Sequence, residues 1–584
     1  MNLFTSTIAQ WLSEVFHELM PSETWDQTTL ENSLETPPDS SMGDYGFPCF
    51  LLAKKFRKAP PQIAIMLCEK LEPAVKNSPL FCDVNALGPY LNFRVNFSSM
   101  AAEVLPRVYD GSYFRENAGQ SRKKVMIEYS QPNTHKGFHV GHLRNVALGD
   151  CLCRVYRYNG YEVIAANYIG DVGTHIAKCL WYYEKFNQET PPETLKGEWL
   201  GTLYTKATLM LEDASDTEKA EYQQEISRIL AALESKDSVW MKKWAETRQW
   251  SLDDFNEIYH WLDAHFDHVF YESDVDDIGK QLVLAELEKG TFIRSQGAVG
   301  LDLEDASLGF FMLLKTDGNT LYSTKDLALA QKKFDEFRIE HSIYVVGSEQ
   351  TLHFKQVFET LKRMGYAQAE SCFHLPYGLV VLPSGKMSSR KGNVIMFSDL
   401  RQQVTDYIRK NYLDQHAGDW DDAEIQETAR QTAVAALRYG MLNQDPNKQI
   451  VFSMEDWLVS EGDTGTYLIY AYVRVRSIRR QVPVELTADV SFDVLTHPNE
   501  HALIRKIYDF NQMVSLVGAQ YRPSLLTKFL FEMCKDFSRA YNTCSIKFAE
   551  NSEIQSARLL LFHSVAEILK QGLFLLGITP PERM

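Results

Sequence analysis

The chain has 584 residues, 45% of them hydrophobic, and a formal charge of −17 at pH 7. That length has room for roughly three or four domains with sizeable cores, and the acidic balance argues against indiscriminate coating of DNA while leaving room for a local basic face. Nine scattered cysteines, with no CxxC pair and no Cys/His metal spacing, argue against structural zinc and read as reduced thiols of a cytoplasmic protein.

Residues 1–115 read as a small α/β domain. Phe4, Ile8, Trp11, Leu12, Val15, Phe16 and Leu19 fall on one face of a first helix. Glu14, His17 and Glu18 within it, and the lack of a basic start, set it apart from a secretory signal or an Arg-rich presequence. A loop rich in turn formers, Pro37 to Gly46, leads to an expected helix over about Pro48–Phe56 and a second one opened by Pro60-Pro61. Alternating strands are expected around Phe81–Val84 and Tyr90–Val95. This domain reads as docking or packing. No apolar run anywhere reaches membrane-spanning length.

From 116 to about 400 the pattern alternates. Val125–Tyr129 reads as a strand, His139–Asn159 as a helix and Tyr161–Ile169 as a strand; further on come Ser342–Val346, a helix over about Thr351–Met364, and Leu379–Leu382. The alternation predicts α/β architecture with a doubly wound, Rossmann-like parallel sheet covered on both faces. A mostly helical, Trp-bearing insertion near 182–268 interrupts it. Residues 401–584 read as an α-helical bundle. Its helix over about Thr466–Gln481 sets Arg474, Arg476, Arg479 and Arg480 beside Tyr467, Tyr470 and Tyr472. Arginine beside aromatics suits an RNA loop; taken alone, a solvated face with core tyrosines is the better reading.

Two motifs carry chemistry. After the first strand, a Pro/Asn/Gly-rich turn opens a helix at His139-Val140-Gly141-His142. Unpaired N–H groups and the positive end of the helix dipole are expected to face an anion there. Two imidazoles one turn apart can bond phosphate oxygens, and Gly141 can let an adenine approach the backbone. Alone, the pair reads better as chance. The second motif, Gly385-Lys386-Met387-Ser388-Ser389-Arg390-Lys391-Gly392, is a small cationic loop after an apolar strand, which alone reads as solvent-facing. Their order, with the loop about 240 residues after the histidines and just ahead of the bundle, joins them into one nucleotide site.

In that order the two motifs resemble HIGH and KMSKS of the class I aminoacyl-tRNA synthetases. The surroundings are similar to the arginyl-tRNA synthetase family over the whole chain: Glu128-Tyr129-Ser130-Gln131-Pro132-Asn133 and Leu143-Arg144-Asn145 around the first motif, Asn167 to Thr174, Leu321 to Ala328, Val346 to Gln350, and Gly465 to Ala471. The resemblance implies ATP (bringing Mg2+ with it), arginine and tRNA as substrates, no structural metal, no protein nucleophile and a monomer. It assigns catalysis to His139, His142, Lys136 and Lys386, and ATP binding to His139, Gly141, His142, Lys386, Met387, Ser388 and Ser389. It assigns arginine to Glu128, Asn133, Tyr322, Asp326 and Gln350. It also implies that the N-terminal domain meets the tRNA elbow, that the bundle contacts the anticodon through Tyr470, Arg474 and Arg476, and that arginine activation waits for bound tRNA.

The residues can be weighed beside that resemblance. A guanidinium is planar and best held by carboxylates in fork geometry, and Tyr322 and Asp326 share a face if that stretch is helical. Glu128 and Asp326 are therefore expected to close around one flat cation beside the histidines. One departure matters: KMSKS has lysine at its fourth place, where this chain has Ser389. Lys136, just ahead of the histidines, is expected to supply the missing charge. The rivals are a class I relative with a zinc site for its substrate, a small-molecule nucleotidyltransferase with no need of a helical C-terminal domain, and a silent RNA-binding relative. Cysteine spacing, the bundle and the intact His139, His142, Glu128 and Asp326 argue against each in turn.

Overall fold

The computed structural model describes residues 2–117, 121–382, 385–386, 394–482 and 484–584. Met387, Ser388 and Ser389 of the expected basic loop lie outside the described residues, and of Lys386 only the backbone is described. The chain forms two compact units, one of Met1–Glu116, Val475–Gln512 and Met533–Ile568, the other of Asn117–Arg474, Met513–Glu532 and Leu569–Met584. The division falls inside the helix Gly465–Gln481 and again within the long C-terminal helices Pro498–Gln520, Pro523–Thr543 and Ser552–Leu575.

In the first unit, the Asn2 side chain accepts the N–H groups of Phe4 and Thr5 and starts the helix Leu3–Leu19. Its apolar face buries Phe4, Ile8, Leu12 and Phe16, with Phe4 edge-on to Phe81 and Phe16 beside Phe47. Beneath it lies a three-stranded antiparallel sheet in the order Tyr45–Pro48, Tyr90–Val95, Phe81–Leu87. The helix expected over Pro48–Phe56 is therefore only partly present. Tyr45–Pro48 pairs with Tyr90–Phe93 as an edge strand, a place where proline is tolerated. Only a 3-10 turn, Cys49–Leu52, and one helical turn, Ala53–Phe56, follow before Arg57 at φ 51° ends it.

The second unit is built on five parallel strands, β1 (Lys124–Glu128), β2 (Glu162–Ile169), β3 (His268–Tyr271), β4 (His341–Gly347) and β5 (Cys372–Tyr377), in the order β5-β4-β1-β2-β3. Helix α1 (Val140–Tyr158) crosses from β1 to β2. Val125, Met126 and Ile127 are fully buried, as a strand covered on both faces requires. The strand order reverses between β1 and β4, and the crevice beyond their carboxyl ends is where ligands of such sheets bind.

Leu379–Leu382 is not part of this sheet. The edge position belongs to β5, whose His374 and Pro376 break the apolar run expected of a parallel strand. Val380–Leu382 instead pairs antiparallel with Gly385–Lys386 and parallel with Ile450–Val451. Between β2 and β3 run the helices Thr174–Lys185, Lys196–Asp213, Asp216–Glu234 and Ser238–Trp261, packed in part around Trp181, Ala207, Ile226 and Ile229. A further three-stranded antiparallel sheet, Ile293–Ser295, Ala298–Asp302 and Phe310–Leu314, was not legible as strands. Among the described residues no helix is long and apolar enough to cross a membrane.

Candidate functional site

The turn leaving β1 is strained. Ser130, Gln131 and His135 adopt φ of 75°, 50° and 62°, a region that side-chain-bearing residues rarely enter. Neighbours hold it there. Asn145 of α1 accepts the Ser130 N–H at 2.7 Å, Asn167 of β2 accepts the Gln131 N–H at 3.0 Å, and the Ser130 hydroxyl meets Tyr259 at 2.7 Å. The buried His135 ring lies between the hydroxyls of Thr134 and Thr247, at 3.1 and 2.7 Å. Thr134 N–H donates to Gly170 O and Gly170 N–H to Pro132 O, which fastens Asn133 beside the end of β2.

His139 is the N-cap of α1. Its Nδ1 accepts the Gly141 N–H at 3.1 Å, and His142 Nδ1 accepts the His139 N–H at 3.2 Å. The Val140 N–H donates to Ile395 O at 3.1 Å. These N–H groups at the helix start are thus taken within the protein, contrary to the expectation of unpaired donors there. What the motif keeps to offer is an Nε2–H on each ring, because Nδ1 is already an acceptor. Gly141 also has another reason than an approaching adenine: a Cβ there would sit 2.9 Å from Cε1 of His139. Burial, then the Lys136 charge, hold His139 down at about 4. Burial, then His139 and Lys136, hold His142 well below the usual range. Both rings are neutral donors. The Lys136 ammonium lies 5.3 Å from the Tyr204 ring centre.

Beyond the ends of β1 and β2 the carboxylates gather. Asp326 lies one turn after Tyr322 on helix α3 (Tyr322–Phe337), and His353 Nε2 meets its carboxylate at 2.6 Å. Glu128 is buried against the fully buried Lys333, and its Oε1 accepts Gln131 Nε2 at 2.7 Å. That arrangement changes what Glu128 offers, for its charge is already compensated. Lys333 also lies 3.8 Å from the Tyr344 ring. The Tyr168 phenol is pushed well above its usual range by burial, then by Asp326, Glu272, Glu128 and Asp171. Burial foremost, with Glu128 and Asp326 among lesser contributions, does the same to Tyr344. Glu128 and Asp326 therefore act on the same two phenols. The Tyr168 and Tyr344 hydroxyls have no hydrogen-bond partner among the described residues.

Glu272 went unrecognised in the sequence. It opens helix α2 (Glu272–Glu288) directly after β3, a four-residue strand too short to show a period. Its Oε2 meets the Lys325 ammonium at 2.9 Å. Its Oε1 lies 3.3 Å from where a Cβ on Gly170 would stand, a point only 2.3 Å from Asn133 Oδ1. Burial raises Glu272 to about 7 against the opposing pull of Lys325. Desolvation first, then Glu272 and Asp326, push the Tyr322 phenol up to about 12, although 56% of that residue is exposed. Gln350 is exposed at the end of the 3-10 turn after β4. The charges of Lys136, ahead of the histidines, and of Lys325, the partner of Glu272, both act on the buried His175, after burial itself.

On the helix Gly465–Gln481, Tyr470 is 49% exposed, Arg474 is partly exposed and Tyr472 is buried. Arg476, in the first unit, is partly exposed and 3.8 Å from Glu567. Among the described residues no group of three or more His, Cys, Asp or Glu is placed to hold a metal ion.

Three family models match the chain: tRNA synthetases class I (R), catalytic domain, over residues 108–454; the DALR anticodon binding domain over 468–584; and the arginyl tRNA synthetase N terminal domain over 2–95. The arginine–tRNA ligase of Bdellovibrio bacteriovorus is 41% identical over 574 residues, 98% of each chain. That of Clostridioides difficile is 34% identical over 588 residues, covering 100% of both. Among solved structures, Thermus thermophilus arginyl-tRNA synthetase matches over 100% of both chains with a TM-score of 0.81 at 27% identity. The Plasmodium falciparum arginyl-tRNA synthetase, at 21% identity and a TM-score of 0.78 over 100% of both chains, shares the fold.

Proposed function

The chain belongs to the class I arginyl-tRNA synthetase family, and from that premise we propose how its own residues carry the reaction. It is an arginine–tRNA ligase. The carboxylate of arginine attacks the α-phosphorus of ATP, and pyrophosphate leaves. A ribose hydroxyl at the tRNA 3′ end then takes the arginyl group and AMP departs. No protein nucleophile is needed; the protein positions the reactants and neutralises charge.

What supports the arginine site is that Asp326, Glu272 and Glu128 all bear on the Tyr168 phenol, and that Asn133 and Glu272 both lie against Gly170 at the end of β2. The guanidinium lies against Asp326 and Tyr322, with Glu272 ionising as the cation arrives. Asn133 holds the α-groups and Gln350 lies at the mouth. Glu128, compensated by Lys333, serves as a fixed anchor for Gln131 and not as the open arm of the fork. His139 and His142 give Nε2–H bonds to the phosphates, with cationic help from Lys136 and Lys386. Gly141, Met387, Ser388 and Ser389 complete the ATP site, and Mg2+ comes with ATP. The domains run 1–115, 116–400 with the insertion near 182–268, and 401–584. The first meets the tRNA elbow and the last the anticodon, through Tyr470, Arg474 and Arg476. The enzyme works as a cytoplasmic monomer and activates arginine only with tRNA bound.

ATP–pyrophosphate exchange with each amino acid, with and without tRNA, tests this. Exchange that depends on arginine supports the site. Exchange driven by another amino acid, or none at all, overturns it. Arginine-driven exchange without tRNA would overturn only the tRNA requirement.

A further inference from the structure

Arg144 is 1% exposed, two residues past the second histidine, and none of the described carboxylates pairs with it. Its Nη1 donates to Gly378 O at 2.5 Å and Leu379 O at 3.5 Å, and its Nη2 to Pro446 O at 3.0 Å and Asp445 O at 3.4 Å. Desolvation, opposed only by Tyr377, holds the guanidinium down at about 10. A buried charge held by carbonyl dipoles and one aromatic ring, with no described carboxylate, is costly. Packing by itself would be served better by an apolar side chain.

The four carbonyls have a common destination. Gly378 and Leu379 run directly into Val380–Leu382, which turns back so that Val381 faces Lys386. Asp445 and Pro446 precede Ile450–Val451, the parallel partner of the same strand. On the far side the chain returns to the start of α1: Val140 N–H donates to Ile395 O, His139 bridges Met396, and Phe397 N–H donates to Phe138 O. The stretch that carries Lys386 is tied to one helix both ahead of it, by Arg144, and behind it, by the histidine turn.

We propose that Arg144 is a positioning residue for adenylate formation: it fixes the strand pair Val380–Leu382 and Gly385–Lys386, whose Lys386 belongs with His139 and His142 to the ATP site. This rests on the reading of those three residues as the ATP site. The planar fork is what the task requires, because its two ends reach different segments, and a lysine could reach only one.

The test is a double-mutant cycle on arginine-dependent pyrophosphate exchange in the full chain, with tRNA present. It uses Arg144→Lys, Lys386→Ala and the two combined, with Arg438→Lys as control. Arg438 is also fully buried in this unit, but its guanidinium is spent on Asp150 at 2.8 Å and Leu262 O at 2.6 Å. Arg144→Lys should fold, lower kcat about tenfold and leave KM for arginine unchanged; Arg438→Lys should leave kcat unchanged. The combined variant should be no slower than Lys386→Ala alone. Losses that multiply in the combined variant, or equal losses in Arg144→Lys and Arg438→Lys, overturn the proposal. A Lys386→Ala enzyme as fast as wild type overturns the ATP-site reading as well. If Arg144→Lys does not fold, Arg144→Gln, which removes the buried charge and keeps an amide donor, takes its place under the same criteria.

Discussion

His142 Nδ1 accepts the backbone N–H of His139 at 3.2 Å, while His139 turns its own Nδ1 onto Gly141. Each ring thus caps the helix with one nitrogen and keeps a proton on the other. Burial leaves both uncharged at neutral pH, so each ring offers a donor and not a cation. His139→Asn should keep the cap, since asparagine is as good at this position as any residue, and replace the far-reaching Nε2–H by an amide N–H on a shorter side chain. Adenylate formation should fall roughly 10²-fold, or ~2.7 kcal/mol, with the melting temperature little changed. Single-turnover adenylate assays with thermal melts check this, and a loss under about tenfold would count against the donor role. The pH profile should keep its shape in the variant, because His139 does not titrate until pH falls to about 4.

In the proposed arginine site, Glu272 is the group expected to give a pH dependence. Its folded-state value of about 7 lies above the ordinary 4.5, so the folded protein holds this proton more tightly than the unfolded chain does. The stability linked to it is complete below 4.5 and is lost as pH rises through about 7. Arginine reverses the preference, because a cation favours the carboxylate. KM for arginine should therefore fall as pH rises through about 7, and arginine binding there should release a proton. Glu272→Gln should flatten that dependence. Isothermal titration in buffers of different ionisation enthalpy, at pH values on either side, reads the proton directly; an unchanged KM slope in Glu272→Gln would remove this residue from the arginine site.

These residues also mark where sequence reading reaches its limit. The first strand and its helix were legible because Val125, Met126 and Ile127 form an unbroken apolar run and the histidine motif has its own spacing. Tyr322 and Asp326 could be put on one face from a four-residue interval. Glu272 could not be found, because its strand is four residues long and its partner Lys325 is 53 positions away. Lys333 sits in a charged helical stretch where lysine normally faces water, yet it is fully buried against Glu128. Whether the helix N–H groups at His139 were free depended on a side-chain rotamer and on the path of Ile395. Neither leaves a trace in the local pattern.

Gly170 is the place where a small change should separate activity from stability. A Cβ there would stand 2.3 Å from Asn133 Oδ1 and 3.3 Å from Glu272 Oε1, and the other near atom is also of the Asn133 side chain. The three nearest atoms all belong to the Asn133 and Glu272 side chains, so a methyl is accommodated by moving the Asn133 amide. Gly170→Ala should still fold and melt a few degrees below wild type, because Gly170 is buried and the Asn133 amide must give way, within the about 0.5–3 kcal/mol usual for a point substitution. It should raise KM for arginine about tenfold or more, with KM for ATP unaltered. Equal changes in both constants would mean that Asn133 is not specific to the amino acid.

Lys136 tests whether charge has moved from the basic loop to the turn before the histidines. Its ammonium depresses both imidazoles electrostatically, so its field reaches the motif, and Ser389 stands where the class I KMSKS pattern has lysine. Charge builds up on the departing pyrophosphate only in the first half-reaction. Lys136→Ala should therefore slow adenylate formation at least about tenfold, or ~1.4 kcal/mol, while transfer from preformed arginyl-adenylate to tRNA keeps its rate. Lys136→Arg, which preserves the charge on a bulkier group, should recover part of the loss. Rapid-quench measurement of the two half-reactions separates the cases. A Lys136→Ala enzyme slowed equally in both steps would point to a displaced turn instead of a missing charge, and one slowed less than tenfold in the first would leave the cationic work to the loop.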